Sequence, residues 1–180
     1  LSFILGDMEI EGLKLDEPTL EQIGEELAEQ LKEIEADIYE MAGETFNINS
    51  VKQLGTILFE KLNLPHGKKN KTGYSTNVDV LENLAVDFEI AGKVLEYRGI
   101  NKLITTYVNG IRDVTTNSFI HPLYKQALTV TGRLSSNEPN IQNMSIRTEL
   151  GQGIRKIFVS RFEKGVIVAA DYSQIELRIL

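Results

Sequence analysis

Asp171 stands where two kinds of segment meet. Before it, Val166-Ile167-Val168-Ala169-Ala170 is a continuous apolar run, which predicts a strand buried on both faces. After it, residues 173–180 take up a helical pattern. A carboxylate delivered rigidly at the end of a buried strand suits a hard cation such as Mg2+, which prefers oxygen ligands. A plainer reading stands beside that one. Ser173-x-x-Glu176 is a capping box, and Asp171 can simply open the turn before the helix.

A second group of residues suits nucleic acid. Thr131-Gly132-Arg133-Leu134-Ser135-Ser136-Asn137-Glu138-Pro139-Asn140-Ile141-Gln142-Asn143 gathers Arg, Asn and Gln in a stretch broken by Gly and Pro. Every base pair shows acceptors in its minor groove, at purine N3 and pyrimidine O2. Donors such as Arg133 and Gln142 can therefore test pairing without reading identity, which a copying enzyme needs and a sequence-specific regulator does not. An ordinary surface loop with self-satisfied Asn and Ser turns has the same composition. Arg98 and Lys102 lie four residues apart on a helical pattern. Two like charges there cost roughly 0.2–0.5 kcal/mol, which an external phosphate would relieve. Lys68, Lys69 and Lys71 sit in a stretch with Gly67 and Gly73 and no apolar period, which predicts an exposed basic tip. Both sets can also simply extend into water.

These groups need elements to hold them. Asp16-Glu17-Pro18 predicts a helix start. From there Leu20, Ile23, Leu27, Leu31, Ile34, Ile38 and Met41 recur at spacings of 3 and 4, up to a stop at Gly43. Ser50 with Gln53 forms a capping-box pattern for a helix that ends at Leu64-Pro65. Thr76 or Asn77 caps a short helix, and a longer one is predicted over 89–111, with Ile90, Val94, Tyr97, Asn101, Ile104 and Val108 inward. Beyond Asp113 the period changes. Residues 119–130 and 155–160 predict strands, with a loop-rich stretch over 131–149 between them. The expected fold class is therefore α+β, a helical first part followed by a sheet-forming one.

Composition narrows the classes. Hydrophobic residues are 42% of the 180, enough for a core. No apolar run approaches the roughly 20 residues of a membrane-spanning helix, and the N-terminus lacks the basic start of a secretory signal. The absence of Cys excludes disulfides and thiolate metal sites and favours a reducing compartment. The net charge of −7 conceals a split. Residues 1–60 hold fifteen acids and three bases, and residues 61–180 hold eleven acids and sixteen bases. The second part thus carries the excess positive charge that a polyanionic partner requires. The chain opens without Met in an apolar stretch and stops inside a helical pattern, so a segment of a longer protein is expected.

Taken together, TGRLSS…PNIQN and DYSQIELR, about thirty residues apart, resemble the primer-terminus loop and motif A of family A of the DNA polymerases, the bacterial polymerase I group. FNINSVKQLGTILFEKL, YSTNVDVLENLA and VLEYRGINKL resemble that family's thumb. The resemblance implies a right-hand polymerase with a segment leading into the palm at 1–16, a thumb at 17–112 and an incomplete antiparallel palm sheet at 113–180. It implies transfer of a deoxynucleotide to a primer 3′-hydroxyl, with two Mg2+ ions bound in part by Asp171 and the carbonyl of Tyr172. Tyr172, Gln174 and Glu176 would meet the incoming nucleotide, with Glu176 the steric gate against a ribose 2′-hydroxyl. Arg133, Asn140, Gln142, Asn143 and Arg147 would contact primer–template, while Arg98, Lys102, Lys68, Lys69 and Lys71 would grip the backbone. Met144-Ser145 departs from the family's apolar residue and proline, and Lys125 stands at a variable position.

The implied partners are primer–template DNA and deoxynucleoside triphosphates, with no membrane, in the bacterial cytoplasm. Fingers and the second metal carboxylate would lie beyond Leu180 and nuclease domains before Leu1. The fragment alone is therefore expected to be inactive and, with an apolar sheet edge exposed, either to self-associate or to be disordered near its C-terminus, whereas the intact enzyme is expected to be a monomer. Competing readings are a non-catalytic duplex DNA-binding module, a helical adaptor and a single-subunit RNA polymerase, the last opposed by Glu176.

Overall fold

Asp16 starts the longest helix. Its carboxylate accepts from the Thr19 N–H at 3.3 Å and the Thr19 hydroxyl at 2.7 Å, and its carbonyl accepts from the Leu20 N–H at 3.0 Å. The Thr19 N–H, which the first turn would leave unpaired, is satisfied in this way, and α2 runs over Glu17–Ala42. Along it Leu20, Leu27, Ile34, Ile38 and Ala42 are buried. The predicted stripe holds, although Ile23, Leu31 and Met41 are only half-buried at its margins. Gly43 closes the helix at φ 69°, where its N–H reaches the Tyr39 carbonyl at 2.9 Å.

The computed structural model describes residues 1–67, 73–144 and 149–180. They form two compact units: Glu21–Arg112, and Leu1–Leu20 together with Asp113–Leu180.

The first of these units is helical. Ser50 accepts from the Gln53 N–H at 3.4 Å and starts α3 (Val51–Gly55). The Gln53 side chain turns back to the Asn47 N–H at 2.8 Å, three residues further than a reciprocal capping box would place it. α3 then widens into a π-helical stretch, Thr56–Lys61. Asn77 caps α4 (Val78–Ala85), accepting from the Val80 N–H at 3.1 Å. α5 (Glu89–Lys102) likewise runs into a π-helical stretch, Leu103–Asn109, and ends in α6 (Gly110–Arg112). Both wide stretches are associated with a threonine whose hydroxyl takes the carbonyl four residues back: Thr56 to Lys52 at 3.2 Å, Thr105 to Asn101 at 2.8 Å. Such bonds compete with the helical ladder. The core is built on Ile38, Leu54, Leu58, Leu81, Val94, Val108 and Ile111, each almost fully buried. At Gly24 a Cβ would lie 2.9 Å from Val108, so glycine permits the close approach of α2 to the widened helix.

The second unit holds the strands. After α1 (Ser2–Glu11), β1 (Leu13–Leu15) is the centre of a three-stranded antiparallel sheet between β2 (Phe119–Ile120) and β5 (Phe158–Val159). Leu13 faces Ile120, and Leu15 faces Phe158. Gly12, at φ 66°, lets the chain pass the Ile120 carbonyl, which a Cβ would meet at 2.6 Å. β3 (Leu123–Lys125) and β4 (Ser135–Asn137) form a separate antiparallel pair. The predicted strand over 119–130 is thus cut in two by His121-Pro122, because proline offers no N–H to a ladder. The predicted strand over 155–160 shrinks to β5, since α7 (Glu149–Arg155) takes its first residue. The largest departure is 166–170. This run has no regular structure, and Val166 and Val168 are 79% and 82% exposed. No described strand pairs with it, so its backbone finds no ladder and its side chains no covering layer. α8 (Ile175–Ile179) follows.

One polar network crosses the helical unit. The Tyr39 hydroxyl lies 2.7 Å from Glu35 Oε1 and 2.9 Å from the Phe46 carbonyl, its single hydrogen serving either. Burial, then the Glu35 carboxylate, pushes the phenol up from its ordinary 10.0 to about 12. The folded state therefore favours the neutral phenol. This contribution to stability is complete below pH 10 and is lost as pH rises towards about 12. Urea unfolding at pH 9, 10 and 11 should show a steeper alkaline loss for the native chain than for Tyr39→Phe. Parallel curves would contradict the assignment.

Candidate functional site

The β3–β4 pair holds the loop that carries the predicted donors. Tyr124 faces Ser136 and Lys125 faces Ser135, so the intervening chain must return between fixed ends. Gly132 at φ 74° supplies a turn, and the Thr129 hydroxyl donates to the Arg133 carbonyl at 2.6 Å. Beyond β4 the Ser136 hydroxyl donates to Asn140 Oδ1 at 3.4 Å. Arg133, Asn140, Gln142 and Asn143 thereby line one open groove of about 630 Å3 with Thr129, Leu134 and Ser135. Four residues singled out from the sequence share one surface, and each carries an N–H donor in its side chain. Arg147 lies outside the described residues.

Asp171 does not end a strand. It and Tyr172 are exposed in the irregular segment before α8, with Gln174 at φ 52°. The turn into α8 is tied by Arg178, whose Nε donates to the Ser173 carbonyl at 2.8 Å. The Glu176 side chain is outside what is described. Asp171 is open to solvent, and its oxygens suit Mg2+. Among the described residues, however, no three His, Cys, Asp or Glu side chains converge on a metal position. These residues alone therefore do not form a complete metal site.

Arg98 is the larger surprise. Its Nη1 donates to the Thr76 carbonyl at 2.5 Å and its Nη2 to the Thr76 hydroxyl at 3.1 Å. Burial pushes its guanidinium pKa down. Two of its donors are thus satisfied within the chain, by neutral acceptors. Arg98 also borders a cleft of about 510 Å3 with Asn49, Ser75, Thr76 and Asn77. Lys102 is exposed and is not among that cleft's lining residues. Lys68, Lys69 and Lys71 lie outside the described residues. The sequence reading gave Asn49, Ser75 and Thr76 no binding role. Their signal is a cluster of amides and hydroxyls on either side of residues 68–72, of which only Thr76 is a candidate cap in the sequence.

The α+β arrangement of a helical unit and small antiparallel sheets is that of a polymerase domain. The description "DNA polymerase family A" matches residues 17–180, and the chain belongs to that family. It is 57% identical over 183 residues to DNA polymerase I of Bacillus caldotenax and 55% identical over 182 to that of Bacillus subtilis (strain 168). Each alignment covers 100% of this chain and 21% of the relative, so the chain spans about a fifth of the length of the curated relatives it matches. A solved structure of the POL domain of Pol1 from M. smegmatis, in complex with DNA primer-template and dNTP, superposes with a TM-score of 0.85. It is 40% identical, with 97% of this chain and 31% of that one covered. Family A polymerases are in general dependent on divalent metal. No described helix is long and apolar enough to cross a membrane.

The different settings of the two helix cations give a stability test. Arg98→Met leaves the Thr76 carbonyl without its donor and should destabilise the chain by about 1–3 kcal/mol. Lys102→Ala should stay within about 0.5 kcal/mol. Urea midpoints of the two variants check this, and equal losses would contradict it.

Proposed function

We propose that this chain is the thumb and the first part of the palm of a template-directed DNA polymerase that acts in replication and repair. The thumb is 17–112, the segment leading into the palm is 1–16, and the partial palm is 113–180. The observation that carries the reading is the groove where Arg133, Asn140, Gln142 and Asn143 converge, in a chain that matches the family over 17–180. Donors facing a minor groove meet acceptors on every base pair, so the primer end is held whatever its sequence.

The remaining residues take roles around that groove. Arg98 and its cleft, Lys102 and the lysines at 68, 69 and 71 meet backbone phosphates, and Arg147 meets the primer or nucleotide phosphates. Phosphate contacts set register and carry no sequence information. Tyr172, Gln174 and Glu176 meet the incoming deoxynucleotide in this reading, with Glu176 rejecting a 2′-hydroxyl. Asp171 and the Tyr172 carbonyl are the ligands this chain offers to Mg2+. When bound, such ions lower the pKa of an attacking hydroxyl and neutralise charge on a transferring phosphoryl group. One carboxylate cannot hold a metal pair in register, so the 180 residues alone are inactive. The exposed apolar residues 166–170 favour self-association of this chain, while the intact protein is a cytoplasmic monomer.

Primer extension tests the reading. The 180-residue chain should incorporate no nucleotide. The protein extended through its natural downstream sequence should polymerise in Mg2+, and Asp171→Ala should lower that rate by at least roughly a hundredfold. Duplex binding without extension in the longer protein would instead favour a non-catalytic DNA-binding module.

A further inference from the structure

Two side chains stand out by burial. Among the described residues, Thr76 and Ser136 are the only buried polar or charged ones other than tyrosines, at 3% and 0% exposure. A hydroxyl serving only to fill space would be replaced by a methyl group at little cost, because a buried polar atom must find a partner. Each of these finds one, and in both cases the partner lines a candidate binding surface. The Thr76 hydroxyl accepts from Arg98 Nη2 at 3.1 Å, and its carbonyl accepts from Nη1. The Ser136 hydroxyl donates to Asn140 Oδ1 at 3.4 Å.

The two bonds do the same kind of work. A guanidinium has five N–H donors, and Thr76 occupies two, leaving Arg98 three with a fixed direction at the edge of its cleft. An amide can present either its oxygen or its nitrogen. In the observed arrangement the Ser136 hydroxyl meets Oδ1, which leaves the Asn140 NH2, a donor, clear of that bond in a residue that lines the groove. A minor groove offers acceptors at every pair, so an amide in the opposite orientation would meet acceptor with acceptor.

We infer that Thr76 and Ser136 are positioning residues for nucleic-acid binding: buried hydroxyls that fix the donor direction of Arg98 and Asn140. The inference rests on the proposed polymerase reading, and specifically on Arg98 and Asn140 facing DNA. Holding these side chains in place before binding removes part of the ordering cost of the complex.

A double-mutant cycle on affinity separates positioning from mere structure. Primer–template duplex is titrated into the 180-residue chain by fluorescence anisotropy, with far-UV circular dichroism confirming that each variant is folded. Thr76→Val and Ser136→Ala should each weaken Kd by roughly two- to tenfold. Thr76→Ser, which keeps the hydroxyl, should bind as the native chain does. In an Arg98→Met background Thr76→Val should add no further loss, and Ser136→Ala should add none to Asn140→Ala. Thr76→Ala serves the same purpose if valine prevents folding. Native Kd for Thr76→Val and Ser136→Ala, beside weakened Arg98→Met and Asn140→Ala, would overturn the inference while leaving the DNA reading in place. Full additivity in the double variants would overturn it too. Native Kd for Arg98→Met and Asn140→Ala would remove the DNA reading of both surfaces, and this inference with it.

Discussion

The candidate groove depends on the pairing of β3 with β4, three residues against three with Tyr124 opposite Ser136. A ladder of this length is weak alone, and it is reinforced from outside. Glu9, near the end of α1, accepts the Tyr124 N–H on its carboxylate at 2.6 Å, and its carbonyl lies 2.8 Å from the His121 ring nitrogen Nδ1. One residue thus holds the bend at His121-Pro122 and the start of β3. Because side chains alternate along a strand, a slip of one residue would turn Ser136 outward and carry Asn140 out of register with it. The groove therefore exists only in the observed register.

Much of the helical unit was legible because its signals are local. The α2 stripe, the caps at Asp16, Ser50 and Asn77 and the stop at Gly43 each depend on residues within one or two turns, and all appear where expected. The convergence of Arg133, Asn140, Gln142 and Asn143 was legible for a similar reason, since eleven consecutive residues contain all four. The exposure of 166–170 was not legible. Apolar composition states that a run can be covered, and only partner strands decide whether it is. The commitment of Arg98 to Thr76 was also hidden, because 22 residues separate them and nothing in either segment announces the bond.

The two units also differ in how they manage charge. The helical unit places its acids on the solvent side of α2 and pairs some of them across elements, Lys93 with Asp37 at 2.7 Å and Arg112 with Glu21 at 2.6 Å. Exposed pairs of this kind contribute little to stability. In the other unit Arg161 pairs with Glu11 and lies over the Phe119 ring, its carbon 5.6 Å from the centroid. The segment after β5 is thereby fastened to the α1–β1 turn. An acid-rich sequence and a cation-bearing groove coexist because the charges are sorted by surface.

The widened stretch Leu103–Asn109 makes the long helix sensitive to residue number as well as residue type. A π-turn accommodates one residue more than an α-turn. Deleting a single residue between 103 and 109 would let regular winding resume and leave the later side chains facing as they do now. Regular winding at the full residue number would instead rotate every later side chain by about 100°. Ile111, now fully enclosed, would swing toward solvent, and Val108 would leave its place against Gly24. The chain can thus lose one position within this stretch and keep the packing up to Arg112, while a change that straightened the stretch without shortening it would dismantle that packing.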